Sequence, residues 1–186
     1  MSFVFVSGNL ALDLAGTRKW RRTEPEELLV DAPGLSRWFA ETGQMPADIA
    51  VDAESFRLAV TLRETIYRLA VARVTSAPFN RNDLQVVNTF AARPGLGVEL
   101  TDDGAVRSGD VHAALAEIAR SAVAVLADSD VVMKECGRQT CTRIYLDRSR
   151  GARRTWCGME ECGNRVKAAA YRARKRTEES QQSVPA

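Results

Sequence analysis

Hydrophobic residues recur at helical spacing through much of the chain and predict an N-terminal domain built mainly of helices. One apolar stripe covers residues 33–41, and Gly43 is expected to end that helix. A second stripe begins after Asp52 and is wide enough for a mostly buried helix. Its apolar members are Phe56, Leu58, Ala59, Val60, Leu62, Ile66, Tyr67, Leu69, Ala70 and Val74.

Two further helices are predicted from capping residues. Asn80, with Asp83 three positions on, is typical of a helix start, and this helix should end before Pro94. Asp110 can cap another helix, whose apolar face includes Val111, Leu115, Ile118, Ala122 and Val125.

Short strands are predicted around these helices. Residues 3–6 are rich in β-formers, and the alternation of apolar residues continues at Leu10, Leu12 and Leu14. Residues 98–106, with Asp103 and Gly104 at the centre, indicate a small β-hairpin.

The pattern becomes shorter after residue 130 and predicts a second, smaller module. Two strands are expected at residues 131–134 and 143–146, followed by a helix over residues 164–176. The fold class is therefore α+β, with a mostly helical N-terminal domain that carries a small sheet and a small hairpin-and-helix module. The predicted divisions are 1–130, 131–176 and a disordered tail at 177–186, with the joint at Asp128–Asp130.

Charge is divided unevenly between these two parts. Residues 1–133 hold 13 Lys or Arg and 18 Asp or Glu, whereas residues 134–186 hold 13 and 6. The net charge of +2 thus combines an acidic domain with a basic end, and a basic end favours a polyanionic partner.

The apolar segments are too short for a membrane span, and the first residues lack the basic start and cleavage pattern of a secretory signal. We therefore expect a cytoplasmic protein with no membrane partner, in which thiols stay reduced. All four cysteines lie in the basic end as two C-x4-C pairs separated by fifteen residues: Cys136, Cys141, Cys157 and Cys162.

Two cysteine pairs at this spacing are typical of a structural zinc ion with four thiolate ligands. Two disulfides and an iron-sulfur cluster are the alternatives, and we rank both below zinc. Four protein ligands leave no open position for a substrate, so we expect a structural ion and no enzymatic activity. The lone His112 lies in a predicted helix of the other domain and is not expected to bind the metal.

Basic residues surround the cysteines. In residues 134–186 arginines outnumber lysines ten to three, which suits bidentate contacts with phosphate and guanine better than mere solubility. On the predicted last helix, Val166, Ala169, Ala170 and Ala173 form a narrow apolar face for packing, bordered by cations. The candidate DNA contacts are Arg148, Arg150, Arg153 and Arg154 between the cysteine pairs, and Arg165, Lys167, Arg172, Arg174 and Arg176 on the helix; the alternative is a solvated surface.

The run Cys162-Gly-Asn-Arg165, after Cys157 and the preceding segments IYLDRS and RRTW, resembles the CGNR zinc finger over about residues 136–176. The resemblance implies four zinc-ligating cysteines and DNA binding. Asn164 and Arg165 are then either DNA contacts or braces of the zinc knuckle. In that family the finger follows an ABATE domain, and the pair is regarded as a stress-induced transcription regulator.

Residues 9–14, NLALDL, resemble the start of the ABATE domain. The family tends to continue with Asn-Thr, where this chain has Gly16-Thr17. Asp13 and Thr17 match the pattern and are the candidate ligand-binding residues that the resemblance implies.

We therefore expect a zinc-dependent DNA-binding regulator whose N-terminal domain senses a small-molecule effector, forms a homodimer, or both. The first alternative is a zinc-stabilised adaptor for an acidic protein partner. An enzyme acting on a small substrate ranks last, because the sequence shows no paired nucleophile and base and no phosphate-binding glycine loop.

Overall fold

The computed structural model describes residues 2–182, with side chains described through residue 176. Six helices are present in this part of the chain. Their bounds are α1 Leu10–Ala15, α2 Ala32–Glu41, α3 Ala53–Val74, α4 Arg81–Ala91, α5 Val111–Ala127 and α6 Asn164–Gln182, and a π-helical turn, Met159–Gly163, leads into α6. None of the described helices is long and apolar enough to cross a membrane.

Each of the first five helices begins at a side chain that accepts backbone N–H bonds from the first turn. These N-caps are Asn9, Asp31, Asp52, Asn80 and Asp110. A cap of this kind typically contributes about 1 kcal/mol, because it satisfies backbone donors that have no partner within the helix. The starts predicted at Asp52, Asn80 and Asp110 are thereby confirmed.

The strands form three separate antiparallel pairs. These are β1 Arg18–Lys19 with β2 Glu26–Glu27, β3 Gly97–Thr101 with β4 Gly104–Ser108, and β5 Met133–Glu135 with β6 Ile144–Leu146. Gly104, with φ at +119°, starts β4 directly after the Asp102-Asp103 turn, so the predicted hairpin is confirmed. In the last pair Met133 lies opposite Leu146, which confirms the strands predicted in the small module.

Three local predictions were wrong. Residues 3–6 form an extended segment with no regular strand, and residues 10–15 form α1. All six residues of α1 are buried, so this helix has no polar face to reveal its period. The expected disordered tail is also corrected: α6 continues through Gln182, and residues 183–186 lie outside the described part of the chain.

The main core lies where α5 packs between α3, α4 and α1. Alanines on α5 allow close approach of the neighbouring helices, and larger side chains fill the space around them. The largest fully buried residues of this core include Trp38, Phe39, Leu62, Ile66 and Leu115.

The small C-terminal module shares a core with this domain. Ile144 and Leu146 on β6 are 3% exposed and pack with Leu12, Ala70 and Val125 of the helical domain. Tyr145, between them on β6, faces the opposite side and packs with the four cysteines. One strand therefore joins the helical core to the cysteine cluster.

Candidate metal centre and nucleic-acid interface

The four cysteines lie in two short segments that pack against each other, a first knuckle at residues 136–141 and a second knuckle at residues 157–162. Cys136 follows β5, Cys141 lies just before β6, and Cys162 lies in the π-helical turn before α6. The Gly137 N–H donates to the Thr155 carbonyl over 2.8 Å, and a Cβ at Gly137 would lie 2.8 Å from the Thr155 side chain. Only glycine permits this close approach of the two knuckles.

The geometry of the cluster fits one metal ion. All four Sγ atoms lie within 4.8 Å of one another, with 3.9 Å between Cys141 and Cys157 and 3.7 Å between Cys157 and Cys162. A tetrahedral ion with Zn–S bonds of about 2.3 Å places its sulfurs about 3.8 Å apart. The observed separations therefore match a structural zinc site, while a disulfide would need about 2.05 Å.

The electrostatics of the cluster also favour a cation at this place. The Cys157 N–H donates to Cys136 Sγ over 3.4 Å, and side-chain contacts among the cysteines lower the pKa of Cys136 to about 2 and raise the pKa of Cys141 to about 12. The same contacts raise the pKa of Cys157. A buried cluster with no metal thus stabilises one thiolate at the expense of its neighbours. A divalent ion allows all four to ionise together.

Arg154 braces the centre from inside the protein. Its guanidinium stacks 4.4 Å from the Tyr145 ring and donates to the carbonyls of Val6 (2.9 Å), Trp156 (2.8 Å) and Cys157. The Tyr145 hydroxyl, whose pKa burial raises to about 12, donates to the Arg154 carbonyl over 2.7 Å. The sequence places Arg154 among the candidate DNA contacts, but its guanidinium is committed to backbone acceptors and does not belong to the proposed interface.

The loop between the knuckles is held in one shape by a buried aspartate. Asp147 accepts hydrogen bonds from Lys134 Nζ (2.7 Å) and from the Ser149 hydroxyl (2.6 Å) and N–H (3.0 Å). Burial disfavours its charge, but these donors outweigh that effect and hold the pKa of Asp147 well below its usual range. The result is an ordered loop on which Arg148, Arg150 and Arg153 are exposed.

Helix α6 extends from the second knuckle with its cations exposed. Within residues 164–176 every side chain except Val166 is exposed, including Asn164 and the candidate contacts Arg165, Lys167, Arg172, Arg174 and Arg176. The predicted packing face is therefore corrected: Ala169, Ala170 and Ala173 lie at the surface. Six cations and no acidic residue occur in residues 164–176.

Three of these cations line two grooves beside α6. Arg165 and Arg172 line one groove together with Arg138 of the first knuckle. Lys167 lines the other with Arg153 of the basic loop. Arg138 was missed by the sequence analysis, although its place between Cys136 and Cys141 could have indicated it.

The two candidate ligand residues of the N-terminal domain have structural partners. The Asp13 carboxylate accepts the Ser7 N–H over 2.9 Å, and burial raises the pKa of Asp13. Asp13 also lines an open cavity beside α5. The buried Thr17 hydroxyl donates to the Leu14 carbonyl over 2.7 Å and lies 3.3 Å from Arg63 Nη1, so it is enclosed. His112 is exposed and lies outside the cysteine cluster.

Two protein-family models together match nearly the whole chain. Residues 8–129 match the ABATE model, described as "Putative stress-induced transcription regulator". The chain belongs to the ABATE family. Residues 133–175 of this ABATE protein match the CGNR zinc finger, so both parts of the suspected architecture are confirmed. No curated protein matches the chain.

The family match and the cluster geometry agree on the cofactor. The CGNR match contains all four cysteines, and the Sγ separations are those of one tetrahedral ion. Cys136, Cys141, Cys157 and Cys162 of this ABATE protein would hold a structural zinc whose chemistry is to fix the two knuckles and the start of α6.

Proposed function

We propose that this ABATE protein is a transcription regulator that binds duplex DNA through its zinc finger. The observation that carries the proposal is α6, a cationic helix that continues from the π-helical turn holding Cys162 and whose side chains, except Val166, are exposed over residues 164–176. Its 19 residues span about 28 Å at 1.5 Å per residue. An α-helix fits the major groove, which is about 12 Å wide.

The charge of α6 supports a polyanionic partner. Six cations and no acidic residue over residues 164–176 give this part of the helix a positive electrostatic field. Phosphates along a DNA groove carry the complementary charge. The exposed loop residues Arg148, Arg150 and Arg153 extend the same basic surface beyond the helix.

The bound metal would act by holding parts of the protein in fixed positions. Because Cys162 lies directly before α6, a bound zinc fixes the direction of the helix relative to the basic loop. Four protein ligands in a buried cluster leave no coordination site for a substrate, and this supports our proposal that the protein is not an enzyme. Sensing of an effector and formation of a homodimer by the N-terminal domain are also proposals.

Salt dependence of binding tests the DNA proposal. Anisotropy of a labelled random duplex should show affinity falling by about 10³ between 50 and 200 mM salt if about six phosphates are contacted. Arg172→Ala should reduce the slope of log affinity against log salt by about 0.9, while Arg57→Ala, an exposed arginine on α3, should leave it unchanged. Equal slopes in the wild type and Arg172→Ala, or no binding by zinc-loaded protein, would refute the proposal.

Exposed apolar groups beside α6 favour a second function, that of a protein-binding adaptor. Met159 is 48% exposed and Tyr171 is 62% exposed, and these side chains could contact a protein partner. If the protein is an adaptor, it should capture an acidic peptide, and Tyr171→Ser should lower that affinity. If it binds DNA, its retention on DNA should depend on Arg172 and should not depend on Met159.

A further inference from the structure

A cavity of about 220 Å³ lies between the β1–β2 hairpin, the first knuckle and the start of α6. The helical domain contributes Arg18, Lys19 and Trp20, and the finger contributes Arg138, Arg143 and Arg165. The cavity therefore lies at the junction of the two family regions, beside three of the four cysteines.

The lining carries an excess of positive charge. Five cationic side chains face two carboxylates, Glu26 and Glu161. Glu26 is paired with Lys19 over 3.6 Å, and Arg18 is paired over 3.9 Å with Glu64, which lies outside the lining. A zinc ion held by the cysteines that form one wall would bring two negative charges to that wall and would take up part of the volume. Even when these are counted, the lining remains cationic.

Arg143 is the most unusual of these cations because it is buried, at 7% exposure, without an ion pair. Its guanidinium donates to the carbonyls of Val4 (2.8 Å) and Gly16 (3.3 Å), and no carboxylate of the described residues lies within 4.0 Å of it. A Cβ at Gly16 would lie 2.8 Å from Arg143 Nη1, so the glycine makes room for this group. Buried charges are ordinarily paired, since their desolvation is costly, and the buried Asp13 carboxylate acts on Arg143 only from beyond ion-pair distance.

Two other lining arginines are available to a ligand. Among the described residues, the Arg138 and Arg165 side chains have neither a hydrogen bond nor an ion pair. Guanidinium groups converging from several directions are suited to the oxygens of phosphate and carboxylate groups.

We infer that this cavity binds a small multivalent oxyanion, a phosphate ester or a dicarboxylate. The volume is below the roughly 300–1,000 Å³ of sites for drug-sized ligands, which favours a small molecule. Because Arg143 is buried, a free anion fits this cavity better than a phosphate held within duplex DNA.

The ligand would connect the two parts of the protein. It would contact Arg18 of the helical domain and Arg138 of the finger, and it would engage Arg165, which also belongs to the proposed DNA interface. Resting on the proposed function, this overlap predicts that the anion lowers DNA affinity, because Arg165 cannot serve both partners. The cavity would thus be an effector site for a small oxyanion.

Calorimetric titration of the zinc-loaded full chain with inorganic phosphate and, separately, with malonate tests the site. We expect saturable one-to-one binding of at least one of them in chloride buffer. Arg138→Gln should weaken that binding at least about tenfold, since a charge-assisted hydrogen bond is lost. Arg165→Gln provides a second variant of the same kind, and Arg57→Gln, which removes an exposed cation elsewhere, should bind as the wild type does.

Zinc content and DNA binding, measured on the same samples, separate the explanations. Loss of anion binding with full zinc retention in Arg138→Gln supports the site. No binding of either anion by the wild type at millimolar concentration overturns it, as does equal binding by Arg138→Gln, Arg165→Gln and Arg57→Gln. Zinc loss in Arg138→Gln together with no anion binding by the wild type assigns these cations to charge balance at the metal. Anion binding without DNA binding refutes only the proposed function.

Discussion

Replacing Arg154 with methionine should destabilise the protein strongly, whereas the same change at the adjacent Arg153 should not. Methionine keeps much of the apolar stem but removes the guanidinium, which stacks on Tyr145 and donates to four backbone carbonyls, those of Val6, Leu146, Trp156 and Cys157. Hydrogen bonds from a charged donor contribute about 1.5–3 kcal/mol each, and they do not add fully when they share one group. We expect a loss of about 3–5 kcal/mol, a large part of the 5–15 kcal/mol typical of a folded domain.

Urea unfolding of zinc-loaded samples, followed by tryptophan fluorescence, measures this difference. The Arg153 side chain is exposed, so Arg153→Met should change the free energy of unfolding by less than about 0.5 kcal/mol. DNA affinity should show the reverse order under conditions where both variants are folded, with Arg153→Met weaker and Arg154→Met near the wild type. Equal stability of the two variants would refute the bracing role of Arg154.

Three further predictions concern the shared core, the basic loop and the metal. Ile144→Ala should cost about 2–5 kcal/mol because it empties a buried position, and thermal unfolding should show one transition; two separate transitions would contradict a shared core. Because the folded-state pKa of Asp147 is low, its carboxylate stabilises the protein fully above the unfolded value near pH 4, and this contribution is lost progressively as the pH falls from there through the folded value. Wild type and Asp147→Asn should therefore approach each other in stability on acidification; a constant difference from pH 6 to pH 3 would contradict this. Removal of zinc by a chelator should abolish the DNA binding proposed above, and cobalt substitution should give the absorption of a tetrahedral thiolate site; an octahedral spectrum would exclude four-sulfur ligation.

The sequence predicted those features that are encoded locally. The spacing of Cys136, Cys141, Cys157 and Cys162 indicated the metal site, and the caps of α3, α4 and α5 indicated where these helices begin. In each case the signal lies within a few residues of the element it predicts.

Features that depend on distant partners were not predicted. Arg154 looked like its neighbour Arg153, but in the folded chain its guanidinium is turned inward by partners that include Val6, 148 residues away, and the ring of Tyr145. Helix α1 is buried on all sides by α3, α5 and β6. The alternation of its leucines therefore had the pattern expected of a strand. The alanines of α6 gave the opposite error, because an apolar face indicates packing only if another element covers it.

The path of residues 4–7 has a consequence for how the chain folds during synthesis. Val4 accepts a hydrogen bond from Arg143, Ser7 from Leu146 and Val6 from Arg154, so this early segment is held by residues translated some 140 positions later. Contacts of such sequence separation form slowly, because a long loop must first close. The helices can pack together before these contacts form. The backbone carbonyls of residues 4–7 have no partners from the C-terminal module until that module has left the ribosome.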